Sequence, residues 1–115
     1  MPMAYRVLFH VNEASSEKHQ TAVRTVRNLL KEMPEAEVEI VVQGDALPMA
    51  LAQESTLVTE LRQLVDQGVR VAVCHNTMKA RGVSADALIP GLEVVPSAVG
   101  ELVRRQQEGM AYIKP

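Results

Sequence analysis

A chain of 115 residues has the length of one domain, read here as residues 1–115, and its 47% apolar and 23% charged residues suit one buried core. The formal net charge of -2, with both signs interspersed, leaves no basic footprint for nucleic acid, and no run reaches the ~20 apolar residues of a membrane span. A single cysteine excludes an internal disulfide and a multi-cysteine zinc site, which fits a reducing, cytoplasmic setting.

The apolar start, Met1 to Val11, is interrupted by Arg6 and His10 and lacks the layout of a signal peptide. Within it Ala4 to Val11 reads as a first strand, and Asn12 follows. Its near-continuous apolar character suits a strand covered on both faces. Ser15 or Ser16 can cap the next helix, with Glu17 in its first turn. Ala22, Val23, Val26, Leu29, Leu30 and Met33 fall at helical spacing, and Pro34 ends the run. Val38 to Val42 is a second strand closing on Gln43-Gly44-Asp45, where glycine signals a turn or a close backbone approach.

Leu47 to Ala52 reads as a short helical turn around Pro48. A longer helix is predicted from Ser55 to Gln67, stopped by Gly68. Val69 to Cys74 forms the third strand. Thr77 to Arg81 then reads as a short helix stopped by Gly82, and Ser84 to Leu88 as one more turn. Leu92 to Val95 is a short strand, Ser97 caps a helix carrying Val99, Leu102, Val103 and Gln106, and Met110 to Ile113 makes the last strand. Strands alternating with helices predict an α/β fold. About five strands form a mainly parallel sheet with helices on both faces, in a doubly wound, flavodoxin-like arrangement.

Nucleotide motifs are absent: no Gly-x-Gly-x-x-Gly follows a strand and no glycine-lysine phosphate loop occurs. No Gly-x-Ser-x-Gly elbow occurs either, and no cofactor is expected. His10, His19 and His75 have no metal-ligand spacing; His19 reads as a solvated helix residue and His10 as a core histidine with its hydrogen bonds met. What remains is Cys74 at the end of a strand, where open α/β sheets hold their ligands. A helix start beside its sulfur, with Lys79, Arg81 or His75 adding positive potential, favours a thiolate. Asn76 and Thr77 either line the thiol's pocket or serve as a turn and helix cap. Asn12, Gly44 and Asn76 mark the same strand-end crevice.

Cys74-His75-Asn76-Thr77-Met78 at a strand end resembles the DsrE/DsrF-like family, whose fold is called YchN-like. The resemblance extends through Asn28-Leu29-Leu30, Val41-Val42-Gln43-Gly44, and Leu64 with Gly68-Val69. It continues in Val95-Pro96-Ser97-Ala98-Val99, Glu101-Leu102, Gln107 with Gly109, and Ala111 to Pro115. Met110, where an aromatic is usual, and Asp45 depart from the pattern. The resemblance implies a three-layer α/β sandwich assembling as a homo-oligomer, a trimer or hexamer. It also implies that Cys74 accepts or relays sulfane sulfur as a persulfide, a sulfur-carrier or sulfurtransferase-like activity with a donor or acceptor protein as partner. Two other readings stand beside it: a non-catalytic small-molecule or nucleotide-binding module, and an oligomeric scaffold in which Cys74 only packs.

Overall fold

Three apolar runs form the middle of the sheet: β1 (Arg6–Val11), β2 (Glu37–Val42) and β3 (Arg70–Cys74). The short strands β4 (Glu93–Val95) and β5 (Ala111–Ile113) flank them. The computed structural model of the chain describes residues 5–115; Ala4, the first residue of the predicted opening strand, lies outside the described residues. Every neighbouring pair is parallel, in the order β4-β3-β2-β1-β5. The expected parallel α/β sheet with helices on both faces is present. Its first four strands lie side by side in chain order, unlike the flavodoxin order 2-1-3-4-5.

The helices are α1 (Ser16–Glu32), α2 (Val58–Asp66), α3 (His75–Ala80) and α4 (Ala98–Gln107), with 3-10 segments at Gly44–Ala50 and Ala85–Ala87. From β1 to β4 each strand is added on the same side, so right-handed crossovers all pass over one face. The step from β4 to β5 runs back across the sheet, and the same handedness carries α4 over the other face. The strand side chains divide accordingly. Val7, Phe9, Val11, Ile40, Val42, Val71 and Val73 pack with Ala22, Val23 and Val26 of α1, Leu61 and Leu64 of α2 and Met78 of α3. Leu8, Val41 and Cys74 pack with Ala98, Met110 and Leu102 under α4 alone.

Local signals placed most boundaries. Ser15 caps α1, its Oγ accepting from the Lys18 N–H at 3.3 Å, and the helix stops ahead of Pro34. α2 begins three residues later than expected, because Ser55 Oγ accepts the Leu57 N–H in a turn of its own. α3 begins two residues earlier than expected: the strand passes into the helix with Cys74 as its cap residue. His19 corrects the solvated reading. It continues the stripe of Ala22, Val23 and Val26, is buried, and a ring nitrogen bonds the Glu13 carbonyl. His10 is buried with both ring nitrogens hydrogen-bonded. Among the described residues no helix is long and apolar enough to cross a membrane.

Candidate functional site

The chain leaves β3 toward α3 on one face and leaves β4 toward α4 on the other. A crevice therefore opens between these neighbouring strands at their carboxyl ends, the switch point at which open α/β sheets take ligands. Cys74 ends β3 beside Val95 of β4, and Ala98 begins α4 above them. A cleft of about 520 Å³ fills the crevice, lined by Gln43, Gly44, Cys74, Asn76, Thr77, Ala80, Arg81, Ser97, Ala98 and Val99.

Cys74 is only 3% exposed, yet its sulfur sits among donors. The Ala98 N–H points at Sγ from 3.3 Å. Ser97 holds that helix start in place, its Oγ accepting the Gly100 N–H at 3.0 Å. On the α3 side the Thr77 hydroxyl and the N–H groups of Asn76 and Thr77, second and third in the helix, favour the anion electrostatically, although the Cys74 side chain forms no cap hydrogen bond there. Burial pushes the Cys74 thiol up, but these four groups outweigh it and leave the thiol below its ordinary value. A buried cysteine surrounded only by carbon would be shifted the other way.

Thr77 is the hinge of this arrangement. Its Oγ1 accepts the Gly44 N–H at 3.0 Å, so the loop after β2 is tied to α3. Gly44 has φ of 58°, in the left-handed region, which lets the chain turn from β2 directly into the 3-10 segment.

Of the residues singled out from sequence, the cleft brings together Gly44, Cys74, Asn76 and Thr77. Asn12, exposed after β1, and His75, exposed at the start of α3, lie outside its lining. Of the cations expected to add positive potential, Lys79 and His75 lie outside the lining, while Arg81 lines the cleft with its guanidinium paired to Asp45. The donors that favour the thiolate are uncharged. Sequence reading missed Gln43, Ser97 and Ala98 as cleft residues. Ser97 was legible as a cap, but only the crossover from β4 brings it to Cys74. Among the described residues no group of three His, Cys, Asp or Glu side chains is placed to hold a metal ion.

The profile of the DsrE/DsrF-like family matches residues 3–115. Among solved structures, MTH1491 from Methanobacterium thermoautotrophicum, a protein of unknown function, is 37% identical with a TM-score of 0.92, over 96% of this chain and 99% of that one. The ychN protein from E. coli is 20% identical at a TM-score of 0.82, over 98% of this chain and 100% of that one. BT1422 from Bacteroides thetaiotaomicron, a conserved protein of unknown function, is 13% identical at 0.78, over 96% of this chain and 94% of that one. The last two are alike in fold alone. No curated protein matches the chain.

Proposed function

The chain belongs to the DsrE/DsrF-like family, a family linked to sulfur relay, and from that premise we propose that Cys74 accepts sulfane sulfur and passes it on as a persulfide. One observation carries this reading: the sulfur sits at the switch-point crevice, among four donors that favour its anion, on a cleft with room for a small donor. The thiolate attacks the sulfane sulfur of a donor. A new S–S bond forms at Sγ, the donor's S–S bond breaks, and the leaving group departs with the electron pair. No outside oxidant or reductant enters. The chain holds no second cysteine, so release requires an acceptor thiolate from another molecule. It attacks the outer sulfur and returns the Cys74 thiolate.

Intact mass after incubation with a sulfane-sulfur donor tests this. The wild-type chain is expected to gain one sulfur atom, removable by excess thiol, and the Cys74→Ser chain none. No gain in the wild type, or an equal gain in the variant, overturns the reading.

We infer also that the chain self-associates as a trimer or hexamer. Val99 and Val103, one turn apart on α4, are 62% and 54% exposed, and Tyr112 and Ile113 on the edge strand β5 are exposed beside that layer. Large apolar side chains and an open sheet edge together are what proteins tend to cover. Light scattering at micromolar concentration is expected to give a mass of three or six chains of 12.6 kDa; a mass equal to one chain counts against it.

A further inference from the structure

We propose that Gln43 selects the sulfur donor. Held from behind by His10 and Tyr112, it presents its amide N–H2 to the Cys74 cleft and binds oxygen on the donor's leaving group, so the cleft takes donors that release an oxyanion. This rests on the reading of Cys74 as the sulfur acceptor.

His10 lies on the α4 face of β1 and is 8% exposed, so both of its ring nitrogens need partners. Nε2 is 2.8 Å from Gln43 Oε1 and Nδ1 is 2.8 Å from the Tyr112 hydroxyl. An amide oxygen can only accept, so the Gln43 contact puts a proton on Nε2, and in the neutral imidazole Nδ1 then accepts from the tyrosine O–H. The two bonds run in one direction: tyrosine donates to histidine, and histidine to the glutamine carbonyl. That leaves the amide nitrogen, with two hydrogens and no partner among the described residues, as the free polar end of a residue that lines the cleft.

Holding a glutamine costs side-chain entropy, and a histidine under α4 takes the place of an apolar side chain. The arrangement fixes the polarity of one group facing the cleft. A donor with an anionic oxygen needs such a group, because its charge meets that of the thiolate inside the cleft. Arg81, the one cation in the lining, is already shared with Asp45.

Thiosulfate is the probe for the proposed class. The thiolate bonds its sulfane sulfur, the S–S bond to the sulfonate sulfur breaks, and sulfite leaves with the electron pair, so charge and atoms balance. Dimethyl trisulfide is the contrast: the thiolate bonds its central sulfur, one outer S–S bond breaks, and methanethiolate leaves with the electron pair and carries no oxygen. Cys74 is then loaded with an S–S–CH3 group, read as its own mass gain. Gln43→Leu is expected to slow loading from thiosulfate by about 10- to 100-fold, the usual effect of losing a hydrogen bond to a charged group, while loading from the trisulfide is unchanged. Tyr112→Phe, which acts through His10, is expected to give a smaller loss confined to thiosulfate. Equal slowing with both donors, or with neither, overturns the assignment. A wild-type chain that takes sulfur from neither donor overturns instead the reading of Cys74. Binding is then decided separately, by titrating sulfite into the Cys74→Ser chain. The side-chain NH2 resonances of Gln43 are expected to shift saturably, and a titration that leaves them in place overturns the role of Gln43 whatever the fate of Cys74.

Discussion

Replacing Glu39 by Gln is expected to stabilise the protein at neutral and alkaline pH and to flatten its stability between about pH 5 and 8. Glu39 is in the middle of β2, facing α4, and is 1% exposed. Glu101 of α4 is buried against it. Arg105 Nε is 2.9 Å from Glu39 Oε1 and 2.9 Å from Glu101 Oε2, but its N–H is aimed at Glu101, which also takes Arg104 Nη2 at 2.9 Å. Arg70 Nη1 is 3.5 Å from Glu39 without a hydrogen bond to it, while Nε and Nη2 of the same guanidinium donate to Glu93. Neither oxygen of Glu39 therefore receives a well-directed donor.

Two carboxylates cannot both be charged in this space, and the pair resolves by holding one proton. Burial first, then the neighbouring Glu101, pushes Glu39 up to about 8; Glu101, bonded to the protonated Glu39 and to Arg104, is held below the ordinary range. The sign follows from proton counts. Between 4.5 and about 8 the unfolded chain has lost the Glu39 proton and the folded chain has kept it, so folding takes up a proton and stability falls as pH rises. The slope is at most about 1.4 kcal/mol per pH unit. Glu101 acts in the opposite sense only below its ordinary value, outside this window. A glutamine at 39 supplies the same N–H or O–H donation to Glu101 with no proton to lose. Thermal unfolding of both chains across the range checks this: a variant whose melting temperature falls with pH as steeply as the wild type, or is lower at pH 8.5, counts against the shared proton.

Glu39 also marks where sequence reading stopped. Local chemistry was legible because it is local: the apolar runs of β1 to β3, the Ser15 and Ser97 caps and the stops at Pro34 and Gly68 each depend on a few adjacent residues. The parallel order followed from strand and helix alternation, and Cys74 was found because a strand end is a place that topology defines. What distant segments bring was not legible. Glu39 occupied an apolar strand run without apparent consequence, since its partners Glu101 and Arg105 are over sixty residues away. His19 shares the buried stripe of α1 with Ala22, Val23 and Val26, but a polar ring at that spacing carries no burial signal until the Glu13 carbonyl is brought to it. The groups favouring the Cys74 thiolate were expected from the helix start that follows it, with cations adding to them, whereas one is the Ala98 N–H, brought over the sheet by the handedness of a single crossover. Gln43 looked like the end of a strand until His10 and Tyr112 gave its side chain a direction.

Thr77→Val is expected to raise the Cys74 thiol and slow its alkylation at pH 7 by about 10- to 100-fold. Thr77 Oγ1 has accepted the Gly44 N–H, so its own proton is left to donate to Sγ, and its hydroxyl is the strongest of the groups that favour the thiolate. Valine keeps the branched shape and removes the hydroxyl. The thiolate then loses one charge-assisted hydrogen bond, while burial, which opposes it, is unchanged. The Gly44 N–H loses its acceptor as well, at a cost of about 1 kcal/mol in stability. Serine separates these effects from simple loss of packing, because it keeps the hydroxyl and gives up only the methyl group. The measurement is the rate of alkylation by iodoacetamide against pH, fitted for its inflection. In the wild type the inflection is expected below the ordinary thiol value, in Thr77→Val at higher pH, and in Thr77→Ser close to the wild type. An unmoved inflection in the valine chain, or an equal displacement in both variants, would show that the hydroxyl does not hold the anion.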